Sequence, residues 1–179
     1  MSKKEYDNGQ GVGQDFKEAV KWYQKAADQG DAIAQSNLAG MYANGRGVEQ
    51  DFKEAFKWYQ KAADQGLANG QNSLGVMYAN GEGVKQDFKE AVYWYQEAAD
   101  QGLAIAQQNL GHKYLMGDGV KQDDVSAYVW WNIAETNGGQ DAKTNKAIVA
   151  ERMTPAQIVT AEELVKEMVK KNPKLLNKK

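Results

Sequence analysis

A 36-residue period runs through most of this 179-residue sequence and constrains its fold more than any other feature. The same spacing separates four tryptophans, Trp22, Trp58, Trp94 and Trp130. Residues 31–66 and 67–102 are identical at 24 of 36 positions, which is far too many for chance. A repeat of this length forms one small unit that buries its apolar face only against neighbouring copies, so the sequence predicts a stacked array.

Each repeat is predicted to contain two helices. In residues 31–66 the apolar and amide positions of the first half recur every three or four residues, which indicates a helix over about 31–43. The glycine-rich segment 44–48 ends that helix. Asp51 is a good N-cap for a second helix, and Glu54 is expected to complete a variant of the capping box.

Short turns between the two helices predict antiparallel neighbours. The tryptophans recur beside alanines that let helices approach closely, so the whole series is interpreted as buried core. The sequence therefore predicts an all-α chain built from antiparallel helix pairs.

The repeated residues resemble the Sel-one-like repeat (SLR) family, relatives of the tetratricopeptide repeat. The resemblance rests on the following residues of one repeat: Leu74-Gly-Val-Met-Tyr78, Gly81-Glu-Gly-Val84, Asp87, Ala91, Trp94, Ala98-Ala99 and Gly102. It implies a right-handed α-solenoid, a superhelix that binds other proteins in bacterial and eukaryotic assemblies. It implies no catalytic activity and transfers no catalytic residue.

The period divides the chain into three regions. Residues 1–138 are predicted to be Sel-one-like repeats, comprising a partial unit and three whole ones (1–30, 31–66, 67–102 and 103–138). Residues 139–171 are predicted to form C-terminal helices that cap the solenoid. Residues 172–179 are predicted to be a frayed, Lys-rich tail.

The N-terminal unit begins inside its first helix, because Ser2 stands where Leu38 would be. The apolar flank around Phe16, Val20 and Tyr23 is therefore expected to lack its usual cover. We expect this edge to fray or to self-associate with another copy. Further repeats or a leader preceding Met1 are compatible with this pattern.

Thr154-Pro-Ala-Gln157 has the residues of a capping box with proline at the first helical position. The helix that follows, over about 155–171, places Ile158, Ala161, Leu164, Val165 and Met168 on one face. Its other face is charged, which is typical of a terminal helix that packs on one side only.

Composition limits the classes of partner. The net charge of −2 gives no general electrostatic reason to bind nucleic acid, and no apolar run is long enough for a membrane span. The chain has no cysteine, so no Cys-based metal site, and we predict no metal and no cofactor. The compartment stays open: cytoplasmic for the chain as it stands, periplasmic or secreted if a leader was removed.

Three patterns resemble chemistry but have structural explanations. Carboxylate pairs such as Asp51 and Glu54 recur at helix starts, where capping explains them. The Gly-x-Gly segments lack the rest of a phosphate-binding fingerprint, which favours turns. His112, the single histidine, has no visible Ser or Asp partner in sequence, so a solvated or partner-contacting role is favoured over catalysis.

Positions that differ between copies on the first helices form a candidate recognition stripe. Ile33, Ser36 and Gly40 correspond to Asn69, Asn72 and Val76, and then to Ile105, Gln108 and His112. The candidate partner-binding residues are Asn69, Asn72, Val76, Gln108 and His112. The resemblance implies that first helices line a concave surface, and amides suit the main chain of a bound peptide.

The sequence thus predicts a non-catalytic scaffold or adaptor that binds a peptide or partner protein in its groove. One alternative is a structural or regulatory subunit that binds through its ends, which an apolar patch at the N-terminal edge would favour. A less favoured alternative is a hydrolase that uses His112, which a second polar cluster around that residue would support.

Overall fold

The computed structural model describes residues 16–177, and within that range the chain is all helical, without strands. The chain divides into two compact units, residues 1–86 and 87–179. The first contains α1 (Phe16–Asp28), α2 (Ala32–Asn44), α3 (Phe52–Asp64) and α4 (Ala68–Asn80). The second contains α5 (Phe88–Ala99), α6 (Ala104–Met116), α7 (Asp124–Thr136), α8 (Ala142–Ala150), α9 (Pro155–Lys171) and a 3₁₀ turn at Pro173–Leu175. The predicted all-α class is confirmed.

Consecutive helices pack against one another from α1 to α4 in the first unit and from α5 to α8 in the second, as the short turns predict. In the first unit the fully buried core includes Ala34, Leu38, Ala55 and Leu74. In the second unit Leu110 and Trp131 take comparable places. Small alanines at the contacts allow close approach of the helices, and the leucines fill the space between them.

Aspartates begin the second helix of each pair, as the sequence predicts. Asp51 Oδ1 accepts hydrogen bonds from the backbone N–H groups of Lys53 and Glu54 at 2.9 and 3.0 Å. Asp87 makes the equivalent pair in the second unit. The predicted reciprocal contact from Glu54 is wrong, because its carboxylate forms an ion pair with Lys57 at 2.9 Å instead. The carboxylate pair at 51 and 54 is therefore a helix start.

The Gly-x-Gly segments are turns in which glycine is sterically required. Gly83 has a φ of +71°, and a Cβ at this position would lie 2.1 Å from the carbonyl oxygen of Phe52. The turn after α4 therefore rests directly on the start of α3, one repeat earlier. The same contact recurs at Gly47 and Gly119.

The prediction that every repeated tryptophan is buried is correct at two positions and wrong at the first. Trp58 and Trp130 are 6% and 4% exposed, and Trp94 is half-buried. Trp22 is 54% exposed. It lies on α1, and no described helix precedes α1 to cover the outer face of that helix.

The N-terminal edge is better packed than expected on its inner side. Tyr23 is 4% exposed and belongs to the first unit's core, so the prediction that it lacks cover is wrong. Phe16 and Val20 are partly buried against the same core. The predicted partial helix around Ser2 lies outside the described residues. Whether this edge self-associates stays a prediction.

The C-terminal helices begin and end close to the predicted residues. Thr154 and Gln157 form the predicted capping box at the start of α9. Ala161 is fully buried, but Leu164 is 38% exposed and does not belong to the packed face. Helix α9 packs on α7 and on the 3₁₀ turn.

The predicted frayed tail is wrong for residues 172–177, which dock on the second unit. Leu175 is 2% exposed, and its carbonyl oxygen accepts hydrogen bonds from Gln107 and Asn137. Asn172 Nδ2 donates to the carbonyl oxygen of Asp100 at 2.9 Å. The high lysine content concealed the buried leucine and the two asparagines that hold this segment.

Candidate functional site

The candidate stripe residues lie on α4 in the first unit and on α6 in the second. On α4, Asn69 is exposed and Val76 is half-buried. On α6, His112 is exposed and Gln108 is half-buried. Four of the five candidate residues therefore have side chains that are at least partly accessible.

Asn72 is the exception, because it is only 8% exposed and already makes an interaction within the structure. The expectation that it belongs to a free surface is wrong. Its counterparts Ser36 and Gln108 are half-buried, so this slot lies at the margin of the packed face of the helix. Ser36 and Gln108 each line a cleft, whereas Asn72 is buried.

The second unit contains an open cleft of about 440 Å³ beside α6. One wall carries Ile105, Gln108 and His112, which occupy the three variable slots of this repeat. The opposite wall is the segment 138–141, between α7 and α8. Ile105 is 53% exposed, so the cleft offers an apolar side chain next to an amide and an imidazole.

Trp131 supports the wall formed by α6 from behind. Its indole lies edge-on to the His112 ring, with ring centroids 5.2 Å apart. Trp131 Nε1 also donates a hydrogen bond to the carbonyl oxygen of Gln108 at 3.3 Å. A Cβ at position 111 would lie 2.5 Å from that nitrogen, so glycine is needed between the two cleft residues. Gly111 and Trp131 together fix the backbone that presents Gln108 and His112.

The surroundings of His112 favour the neutral form of its imidazole. Partial burial lowers the pKa of His112 below its usual value, the positive charge of Lys113 lowers it further, and Asp141 opposes both. Asn145 Nδ2 lies 3.4 Å from His112 Nε2 and donates to it when that nitrogen is unprotonated. A neutral imidazole can both donate and accept, which suits recognition of a peptide group.

Sequence reasoning missed the segment 138–141, which lines the cleft, and also Trp131 and Asn145, which contact His112. Trp131 replaces a tyrosine of the other repeats, and the period fades after Gly138. Those departures from the repeat were the available signal. They mark the place where the fourth repeat is adapted to form the second wall.

The first unit has a smaller cleft of about 320 Å³, beside α2. Ser36 and Gly40, the counterparts of Asn72 and Val76 in residues 31–66, line it together with Tyr59. A Cβ at Gly40 would lie 3.3 Å from the Tyr59 hydroxyl. The Arg46 guanidinium lies over the Phe16 ring at the rim, 5.8 Å from its centroid. The variable slots thus border a cleft in this unit also.

The contacts of His112 are an indole ring and an amide, neither of which is a nucleophile. They do not form the nucleophile–base pair that a hydrolase of the considered type needs. Among residues 16–177, no three His, Asp or Glu side chains are grouped as metal ligands. None of the helices in that range is long and apolar enough to cross a bilayer.

A family model described as the Sel1 repeat matches four successive segments of the chain, residues 1–31, 32–67, 68–103 and 104–139. No curated protein sequence matches the chain.

Several solved structures are similar. A protective antigen of uropathogenic Escherichia coli strains, which displays an SLR fold, is 37% identical with a TM-score of 0.88, over 97% of this chain and 38% of that one. A Sel1 repeat protein from Oxalobacter formigenes is 42% identical with a TM-score of 0.76, over 80% of this chain and 59% of that one. Cysteine-rich protein B of Helicobacter pylori is 27% identical with a TM-score of 0.58, over 76% of this chain and 98% of that one. The chain thus spans less than two thirds of the first two proteins.

Proposed function

This chain belongs to the Sel1 repeat family, whose members are generally protein-interaction scaffolds, and from that premise we propose that it binds an extended peptide segment of a partner protein through the cleft beside α6. Gln108 and His112 are the proposed recognition residues of this cleft. The observation that carries the proposal is that all three variable slots of one repeat line the same open cleft.

The chemistry of the cleft fits a peptide. Gln108 carries a donor and an acceptor, as does the neutral imidazole of His112, so both can pair with main-chain groups. Ile105 supplies exposed apolar area for a partner side chain. The packing of Trp131 holds both polar residues in place before binding, which lowers the ordering cost of association.

On α4 the candidate residues Asn69 and Val76 remain proposed contacts in the first unit, as accessible side chains at the equivalent slots. We assign Asn72 a structural part instead, because it is buried. Replacing Asn72 by alanine is therefore expected to lower stability as well as any binding.

The exposure of Trp22 favours a second candidate function, which is a subunit that associates through its N-terminal edge. A half-exposed indole is a frequent anchor in protein interfaces. Analytical ultracentrifugation of the wild type and Trp22→Ala tests it. Self-association that is lost in the variant supports this role, and a monomer at all concentrations refutes self-association.

Site-specific photo-crosslinking in the native cell tests the proposed cleft. A photoreactive residue at position 105 is expected to capture a discrete partner, whereas one at the exposed Lys166 of α9 is the matched control. Mass spectrometry identifies the captured protein. Equal capture of the same protein from both positions, or capture from the control alone, would refute the cleft as the binding surface.

A further inference from the structure

The docked C-terminal segment shows how this fold recognises an extended chain. Gln107 on α6, Asn137 after α7 and Gly102 in the turn before α6 surround residues 174–177, and we call this set the second-unit amide notch. Gln107 is completely buried and Asn137 partly buried. Both side chains point their amides at the main chain of the segment.

The contacts in the second-unit amide notch are specific for backbone groups. Gln107 Nε2 and Asn137 Nδ2 both donate to the carbonyl oxygen of Leu175, at 2.9 and 2.7 Å. Asn137 Oδ1 accepts from the backbone N–H of Asn177 at 2.9 Å. The second-unit amide notch thus binds one backbone carbonyl and the backbone N–H two residues later.

Glycine at position 102 makes room for the segment. A Cβ there would lie 2.5 Å from the carbonyl oxygen of Lys174. The docked chain therefore passes directly over the turn before α6, where a side chain would block it.

The first unit repeats this arrangement with Gly30, Gln35 and Gln65, which we call the first-unit amide notch. Gln65 Nε2 donates to Gln35 Oε1 at 2.7 Å, and Asn137 Nδ2 donates to Gln107 Oε1 at 2.8 Å. Gln35 Nε2 donates to the carbonyl oxygen of Ala27 at 3.2 Å, just as Gln107 does to that of Ala99 at 3.1 Å. The hydrogen-bonded amide pair therefore has the same form in both notches.

No described residue lies over the first-unit amide notch at the place where the docked segment fills the second-unit notch. A Cβ at Gly30 would meet no atom within 4 Å among the described residues. Gln35 is only 4% exposed, so its amide is held rigidly, while Gln65 lies at the surface. The second N–H of the Gln35 side-chain amide corresponds to the Gln107 group that donates to Leu175. The side-chain oxygen Oε1 of Gln65 corresponds to Asn137 Oδ1, which accepts from the N–H of Asn177.

We propose that the first-unit amide notch binds an extended segment of a partner protein whose main chain follows the pattern of residues 172–177. The chain's own tail is not the occupant, because its tether keeps it at a high effective concentration beside the second-unit notch. This site is separate from the cleft beside α6 and does not depend on the function proposed for that cleft.

A synthetic peptide of residues 171–177, Lys-Asn-Pro-Lys-Leu-Leu-Asn with blocked ends, is the probe. We expect its titration into the full ¹⁵N-labelled chain to shift the Gly30 amide and the side-chain amides of Gln35 and Gln65, in a saturable way. Loss of one hydrogen bond in Gln65→Ala should weaken binding about fivefold to tenfold. Gln60→Ala on α3, the helix that Gln65 follows, is the matched control and should bind as the wild type does.

Gly30→Ala gives an independent test, since its methyl group would occupy the path of the docked chain. Binding should be lost while the spectrum of the rest of the first unit is retained. Shifts confined to Gly102, Gln107 and Asn137 would mean that the peptide only exchanges with the tail, and would overturn the proposal. Absence of saturable shifts, or equal affinity in Gly30→Ala, would overturn it too. His112→Ala should not change this titration. A negative result for the function proposed for the cleft beside α6 is therefore distinguishable from a negative result for the first-unit amide notch.

Discussion

Trp58 and Trp22 occupy the same position of their repeats but differ greatly in exposure. Replacing each by alanine therefore compares how much a buried and an exposed tryptophan contribute to the free energy of unfolding. Burying one tryptophan removes about 150–250 Å² from water. At about 25 cal/mol/Å² this is on the order of 4–6 kcal/mol before entropy is subtracted. Because Trp58 is 6% exposed, Trp58→Ala should cost about 3–5 kcal/mol.

The same substitution at Trp22 should cost only about 2 kcal/mol, since roughly half of that side chain remains in water. Lys61 Nζ lies 3.9 Å from the centroid of the Trp58 ring, and losing this contact adds about 0.5–1 kcal/mol to the cost at Trp58. The two alanine variants should therefore differ by about 1.5–4 kcal/mol.

Trp58→Phe separates burial from polarity. Trp58 Nε1 is buried without a hydrogen-bond partner among the described residues, and an unpaired donor of this kind costs about 1–3 kcal/mol. Phenylalanine keeps most of the apolar area and removes that donor, so the variant should lose no more than about 1 kcal/mol. Urea unfolding followed by far-UV circular dichroism measures all three. Equal losses at positions 22 and 58 would refute the reasoning.

Four further substitutions or measurements have definite expectations. Asp87→Ala should cost about 1 kcal/mol in thermal unfolding by removing the α5 cap, and an unchanged melting temperature would contradict that role. Gly83→Ala should cost at least about 2 kcal/mol and Gly30→Ala about 1 kcal/mol, because both glycines have positive φ but only Gly83 lies against a backbone carbonyl. Similar losses in the two variants would show that the contact with the carbonyl is unimportant. Leu175→Ala should cost about 2–3 kcal/mol in urea unfolding, and a neutral result would mean that the tail adds no stability. An NMR titration should place the pKa of His112 below its usual value of 6.5. The folded state then binds fewer protons than the unfolded state, so the free energy of unfolding should rise with pH between the folded pKa and 6.5. His112→Gln should flatten that dependence on pH.

The repeat made the helices predictable from sequence, because many helix starts and stops carry a local signal, although α4 and α6 begin without a side-chain cap. Asp51 and Asp87 precede their helices by one residue, and glycines with positive φ follow others. Copies of the same signals in successive repeats reinforced each assignment. The capping box at Thr154 was predictable for the same reason.

Burial at individual repeat positions was harder to predict, since identical sequence signals meet different neighbours. Trp22 and Trp58 have the same local context, yet one lies on the outer helix of the described chain and the other inside it. Asn72 and Gln108 share a slot, yet only the longer side chain reaches the cleft edge. These outcomes depend on tertiary neighbours that a periodic pattern does not specify.

The tail and the second wall of the cleft were missed because they involve contacts across long stretches of sequence. Leu175 pairs with Gln107, 68 residues earlier, within a segment whose lysines indicated disorder. Asn145 reaches His112 from α8, beyond the end of the clear repeats. Neither pairing leaves a periodic signal.

The cleft beside α6 is proposed to bind the partner. Isothermal titration calorimetry, in which the partner identified by crosslinking is titrated into this protein, tests that claim most directly. The wild type, Gln108→Ala, His112→Ala and the exposed control Lys53→Ala are compared at equal folded fraction. If the two cleft residues are hot spots, each variant should lose about 2 kcal/mol, or roughly thirtyfold in Kd, while the control binds normally. Wild-type affinity in both cleft variants would contradict the claim, and loss of binding in Lys53→Ala at the same time would move the site to the surface around Lys53.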